Sequence, residues 1–184
     1  MRPSSRAVML ILTALAVATT STAIQAQGPV RLGLGGGFTL PVGDVGELTY
    51  GGINVEASLT YDPRRIPVGF EANATYHNFA PKDKSARNSH VMALTGGIRI
   101  PIAGTLGEPY LMAGVGYYNT QGPTTGPVDA ERDLGGYGGV GIRFKAEKLQ
   151  FHMRAGFHEI FAGKDVNGRT RSRELIPITF TIVL

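Results

Sequence analysis

The sequence lacks cysteine and tryptophan and carries little charge. None of its 184 residues is Cys or Trp, and only 17% are charged. The absence of Cys excludes a disulfide framework and a thiolate metal site. A formal net charge of +4 is too small for a protein that binds nucleic acid through bulk electrostatics. We therefore expect no cofactor, no bound metal and no nucleic-acid partner.

Glycine, by contrast, is abundant, and helical signals are weak. The chain contains 26 Gly and 11 Pro, and Gly costs about 1 kcal/mol relative to Ala inside a helix. A hydrophobic share of 42% is too high for a disordered chain. The length predicts a single domain, and the composition favours β-structure.

Long apolar runs are also missing, and the longest lies at the start. Arg2 and Arg6 precede an apolar run over residues 7–18, and small residues follow it. This layout is typical of a cleavable signal peptide, and the run is shorter than the roughly 20 residues of a spanning helix. We predict a signal peptide over residues 1–26, with cleavage after Ala23 or Ala26, and one mature domain over 27–184.

Beyond residue 28, apolar residues recur at every second position, which is the strand period. Gly, Pro, Asn and charged clusters separate the segments. The pattern predicts eight strands, over residues 29–40, 50–61, 66–79, 89–102, 109–119, 134–145, 149–161 and 173–184.

The connections between these segments alternate in length. The links after the second, fourth and sixth segments are short, whereas the other four are longer and polar. An even strand number with short turns at one end and long loops at the other is typical of outer-membrane barrels. The sequence thus predicts an all-β fold, a closed eight-stranded antiparallel up-and-down transmembrane β-barrel. Its four long loops are expected to face outward, and both termini lie at the short-turn end.

The two faces of the predicted strands differ in polarity. One face is continuously apolar and the other carries charges in mid-strand, which favours lipid outside and a polar lumen inside. The predicted lumen charge network is structural and comprises Arg31, Glu56, Glu71, Arg99, Arg143 and Arg154. A four-residue turn after Tyr61 would place Glu56 directly opposite Glu71, and a similar register pairs Phe144 with Leu149. Because Trp is absent, the interfacial aromatic belts are expected to consist of Tyr50, Tyr61, Tyr76, Phe79, Tyr117, Phe144, Phe151 and Phe161.

Three stretches carry a resemblance to a known family: GEPYLMAGVGYYNT (107–120), DLGGYGGVGIRFK (133–145) and ELIPITFTIVL (174–184). The mature chain resembles the small outer-membrane β-barrels of the OmpA/OmpX type. The resemblance implies a Gram-negative outer-membrane location, a structural or surface-interaction role and a monomeric barrel inserted by the barrel-assembly machinery. In that family the last strand usually ends in an aromatic residue, whereas this chain ends in Leu184.

Catalytic and metal-binding interpretations of the lumen are weaker than a structural one. Two opposed carboxylates could share a proton, but an arginine crossing the narrow barrel would neutralise them instead. His77 and His158 both face inward, yet their segments lie on opposite sides of the ring, so a zinc site is not expected. Ser89 and His90 are adjacent and therefore point to opposite faces, which disfavours a lipid A deacylase.

The long loops differ in the sign of their charge. Asp44 and Glu47 lie in one acidic loop, and Asp129, Glu131 and Asp133 in another. Basic loops could pair with lipopolysaccharide phosphates, or with the acidic loops. The candidate lipopolysaccharide contacts are Lys82, Lys84, Arg87, Lys164, Arg169, Arg171 and Arg173.

We therefore predict an outer-membrane barrel with a structural or surface-interaction role and no catalysis, whose partners are outer-membrane lipid and lipopolysaccharide. Two alternatives stay open. One is a barrel enzyme that modifies lipid A. The other is a soluble periplasmic, lipocalin-like barrel, in which the apolar face would point inward around a ligand.

Overall fold

The computed structural model describes residues 29–105, 107–122, 131–146, 149–164 and 170–184, with only the backbone described for Asp44, 162–164 and 170–172. The predicted signal peptide, residues 1–26, lies outside this part of the chain. The described residues form nine elements: β1 (Val30–Val42), α1 (Gly43–Leu48), β2 (Thr49–Tyr61), β3 (Gly69–Pro81), β4 (Ser89–Pro101), β5 (Glu108–Gln121), β6 (Glu131–Ala146), β7 (Leu149–Lys164) and β8 (Thr170–Val183).

The strands form a closed antiparallel barrel in the order β1 to β8. β1 pairs with β8 from Gly33 opposite Val183 to Val42 opposite Glu174, and this pairing closes the sheet. The predicted fold class is confirmed, and each predicted strand overlaps an observed one. We call the end with turns 62–68 and 102–107 the short-turn end, and the opposite end the long-loop end.

A single turn of helix, α1, replaces part of the first predicted long loop. Gly43 has a φ of 60°, which turns the chain out of β1, and the Thr49 hydroxyl donates to the Val45 carbonyl at 2.7 Å. The alternation argument missed this helix because six residues are too few to show a 3.6-residue period. No described helix is long and apolar enough to cross a membrane.

Side chains alternate strictly between the inside and the outside of the barrel. On β2, Ile53 and Val55 are exposed on the outer surface, whereas Asn54 and Glu56 are buried inside. The same alternation runs through the other strands, and their outer faces expose large apolar side chains such as Leu94, Val115 and Phe180. This arrangement suits a barrel that faces hydrocarbon, since lipid offers no partner for polar groups.

The predicted hairpin registers were wrong by an even number of residues. Tyr61 pairs with Phe70 rather than Ile66, and Glu56 therefore faces Thr75 rather than Glu71. Pro67 cannot donate to a ladder, so β3 starts later and the turn is longer than predicted. At the β6–β7 hairpin, Phe144 pairs with Phe151 rather than Leu149. Because both shifts are even, they move no side chain from one face of the sheet to the other.

Inward-facing glycines make room for the large side chains of β5 and β6. A Cβ on Gly141 would lie 2.4 Å from the Tyr110 ring, and one on Gly114 would lie 2.6 Å from the Tyr137 ring. The Met112 methyl group likewise lies 2.7 Å from the position of a Gly139 Cβ. The glycine-rich stretch of β6 thus lets bulky side chains lie flat against the barrel wall.

We predict that two adjacent glycines of β6 differ sharply in tolerance. A Cβ on Gly139 would lie 2.4 Å from the Ala155 carbonyl oxygen, whereas the nearest atom to a Gly138 Cβ is 3.8 Å away. Gly139→Ala should lower the free energy of unfolding by about 1–3 kcal/mol, typical of overpacking. The measurement is urea unfolding in detergent micelles, with Gly138→Ala as the control. Equal unfolding midpoints would contradict the packing described here.

Candidate functional site

The short-turn end of the lumen is closed by one carboxylate that contacts three arginines. Asp62, the first residue after β2, accepts hydrogen bonds from Arg99 at 2.8 Å, Arg143 at 3.0 Å and Arg31 at 3.4 Å. The side chain of Arg99 is only 4% exposed. A buried cation needs such a partner. Asp62 therefore neutralises positive charge of the arginines that the strands place at the short-turn end.

Glu108 is a second carboxylate at the same mouth. It accepts hydrogen bonds from the side chains of Arg143 and Lys145. Sequence reasoning missed both Asp62 and Glu108, because it assigned them to connections between strands. A sequence signal for these two carboxylates was available. Three predicted lumen arginines lie near the short-turn end, and their own strands offer no acidic partner.

Arg154 crosses the middle of the lumen. Its guanidinium forms an ion pair with Glu56, lies 3.7 Å from Glu71, and donates to the Asn73 side-chain oxygen at 3.4 Å. Thr75 and Thr181 add hydroxyl donors to Glu56. The two carboxylates are thus brought together through a shared arginine and not by direct strand pairing.

Glu71 connects this central group to the short-turn mouth. Its carboxylate accepts a hydrogen bond from the Tyr137 hydroxyl at 2.9 Å and lies 3.6 Å from the Arg99 guanidinium. All six lumen residues named from the sequence therefore belong to one chain of ion pairs. This arrangement neutralises charge across the barrel interior and leaves Glu56 and Glu71 bound to arginine.

Towards the long-loop end, the lumen contains an apolar layer. This apolar layer is a cluster of buried side chains from five different strands and consists of Phe79, Val91, Ala93, Tyr118, Ile160 and Leu175. Phe79 was expected in an outer aromatic belt, and that expectation was wrong because its odd number places it on the inner face of β3. The alternation along β3 could have predicted the inward position of Phe79, since the inward residues Glu71 and His77 also have odd numbers.

The inward histidines bind neighbouring hydroxyl groups. His77 contacts the Thr39 hydroxyl at 2.9 Å, and His158 contacts the Tyr118 hydroxyl at 2.8 Å. Within the part of the chain that the structure describes, no group of three or more His, Asp or Glu side chains could hold a metal ion.

The cavity that the described residues enclose in the middle of the barrel is small. A cavity of about 20 Å³ lies among Glu71, Arg154, His77 and His158. One water needs about 10–15 Å³ measured in this way, so the cavity accommodates a single water molecule and no organic substrate.

We predict that Arg154→Ala destabilises the barrel strongly. It would leave Glu56 buried without its cation, and breaking such a pair costs about 3–5 kcal/mol. The urea midpoint in detergent micelles should fall, while Arg64→Ala, in the exposed short turn, should leave it unchanged. Adding Glu56→Gln to Arg154→Ala should recover part of the loss, and an unaltered midpoint for Arg154→Ala would refute the role assigned to this residue.

The outer rim places basic side chains of loop 82–88 next to α1. The Lys82 ammonium donates to the Gly46 carbonyl at 2.6 Å and lies 5.9 Å from the centre of the Tyr50 ring. Lys84 and Arg87 are exposed on the same loop. The backbone N–H of Ser85 and then its hydroxyl donate to Asp83, which lowers the pKa of that carboxyl.

The second basic loop is only partly described. Arg173 forms an ion pair with Glu131 and lies 3.4 Å from Asp133, so a basic loop pairs with an acidic one here. The side chains of Lys164 and Arg171, and all of Arg169, lie outside the described residues. Nothing in the structure therefore tests their predicted contacts with lipopolysaccharide.

Comparison with known proteins identifies the same architecture. Residues 9–170 match the model of a family described as the outer membrane protein beta-barrel domain. No curated protein sequence matches the chain.

Three solved structures illustrate the similarity. Neisserial surface protein A aligns with a TM-score of 0.64 and 13% identity, over 85% of this chain and 97% of its own. Ail, the attachment invasion locus protein of Yersinia pestis, aligns with a TM-score of 0.53 and 12% identity, over 85% of this chain and 95% of its own. The outer membrane protein OprG of Pseudomonas aeruginosa aligns with a TM-score of 0.51 and 15% identity, over 88% of this chain and 99% of its own. At these identities the similarity concerns the fold.

Proposed function

This chain belongs to the outer membrane protein beta-barrel family and lies in the bacterial outer membrane, and from that premise we propose that it is a non-catalytic scaffold. In this proposal the barrel anchors the protein, and the long-loop rim makes contacts at the cell surface. The observation that carries the proposal is the filled lumen, in which ion pairs and the apolar layer occupy the space that a solute or substrate would need.

A catalytic role is disfavoured by the way the candidate groups are bound. An acid–base pair needs a carboxylate that can exchange its proton next to a substrate. Glu56 and Glu71 contact Arg154 across the lumen instead, and the adjacent cavity of about 20 Å³ is too small for a lipid or sugar. His158 contacts Tyr118 and not a serine, which argues against a lipid A deacylase.

The rim formed by loop 82–88 and α1 is the part of the surface best suited to contact lipopolysaccharide phosphates. Lys84 and Arg87 are exposed, and neither contacts an acidic side chain among the described residues. Just below them on the outer face, Tyr76 stacks on His90 and their polar atoms lie 2.7 Å apart. Charged groups above an amphipathic aromatic pair match the transition from headgroup to acyl chain.

We further infer that the barrel acts as a monomer. Closure between β1 and β8 leaves no unpaired strand edge that would need a neighbouring subunit. The lipid-facing side of β8 carries Ile178, Phe180 and Ile182, and we assign this stripe to recognition by the assembly machinery.

We predict that the long-loop end faces the cell exterior. The absence of cysteine gives a clean background for labelling, and no atom of the described residues lies within 4 Å of a Cβ on Gly122. Gly122→Cys should react with a membrane-impermeant maleimide on intact cells. Arg65→Cys, at the short-turn end, should react only after the outer membrane is broken, and the reverse pattern would overturn the proposed orientation.

We predict that lipopolysaccharide retention depends on loop 82–88. The double variant Lys84→Ser and Arg87→Ser removes two exposed cations, so less lipopolysaccharide should co-purify with the barrel at low salt. Arg64→Ser with Arg65→Ser removes the same charge from the opposite end and serves as the matched control. Equal retention by both double variants would contradict this contact, because it would show that only the net charge matters.

A further inference from the structure

The short-turn mouth contains a cavity beside its ion pairs. Its volume is about 190 Å³, far larger than the 20 Å³ of the cavity in the middle of the barrel. We call it the mouth pocket. Arg99, Arg143 and Tyr110 line its polar side, and the turn residues Ile66, Pro67 and Val68 line its apolar side.

The ion-pair network at the mouth pocket has one cation in excess. Its cations are Arg31, Arg99, Arg143, Lys145 and Arg154, and its carboxylates are Asp62, Glu108, Glu71 and Glu56. Asp62 and Glu108 line the pocket together with Arg99 and Arg143. A surplus of one positive charge favours an additional anion.

Two buried donors at the mouth pocket form no hydrogen bond among the described residues, although the Arg99 Nε lies 3.6 Å from the Glu71 carboxylate. The Tyr110 hydroxyl and the Arg99 Nε form no hydrogen bond, although Tyr110 is only 4% exposed and Arg99 only 3% exposed. The Arg99 guanidinium lies 5.6 Å from the centre of the Tyr110 ring. The lack of a side chain at Gly141 leaves room for this hydroxyl, because a Cβ there would lie 2.5 Å from it. Buried polar groups of this kind normally have a partner.

We propose that the mouth pocket binds the carboxylate of a small organic acid from the periplasm. Arg99 and the Tyr110 hydroxyl donate to the carboxylate oxygens beside Asp62, and Ile66, Pro67 and Val68 pack against the apolar part of the acid. A planar carboxylate suits this position because arginine forms well-matched hydrogen bonds with carboxylates, and the arginines here already bind that of Asp62.

The test is a titration of the full chain, folded in detergent micelles, with propanoate as the probe. The arginine Nε–Hε resonances are followed by nitrogen-15 NMR. We expect saturable shifts of the Arg99 and Arg143 signals. Tyr110→Phe should weaken the affinity about tenfold, whereas Tyr118→Phe, which removes a hydroxyl at the long-loop end, should leave it unchanged.

A second variant tests the pocket independently of Tyr110. Glu108→Gln removes a carboxylate that competes for Arg143, so propanoate should bind more tightly. Titration that does not saturate, or equal affinity in wild type and Tyr110→Phe, would overturn the proposed site. Saturation by inorganic phosphate but not by propanoate would overturn the assignment of a carboxylate ligand.

Discussion

Backbone hydrogen bonding in lipid is the constraint on which the rest of this structure depends. Hydrocarbon offers no partner to a free N–H or C=O group, so a sheet in the membrane must close on itself. Here β8 returns to β1 and completes the ring. Closure then directs every second side chain into an interior that, for eight strands, is just wide enough to be filled by side chains. The composition of that inner face decides whether the barrel is stable.

The inner face fills the interior in three different ways along the length of the barrel. At the short-turn end, Asp62 contacts three arginines, and in the middle Arg154 lies between two glutamates. Towards the long-loop end, the apolar layer fills the interior, and the buried Arg173 is paired with Glu131 and Asp133. The glycines of β6 also help to fill the interior, because they let neighbouring large side chains lie flat against the barrel wall.

The alternation of apolar and polar residues was sufficient to predict the strands and their faces. A shift of the register by two or four residues leaves the faces unchanged, so the prediction survived two wrong hairpin registers. The identity of ion-pair partners was not predictable in the same way, since Arg154 and Glu56 lie 98 residues apart and meet only across the closed ring. Asp62 was not predicted because it lies in a turn, where the two-residue alternation of a strand gives no information. The apolar layer was not predicted because apolar residues were assigned to the lipid side.

Conductance across a planar bilayer tests the filled lumen most directly. If ion pairs and the apolar layer close the interior, membranes containing the folded chain should show no more current than protein-free membranes at moderate voltage. Steady single-channel steps that are lost when the protein is denatured would contradict the account. They would require a continuous water-filled passage past Arg154 and the apolar layer.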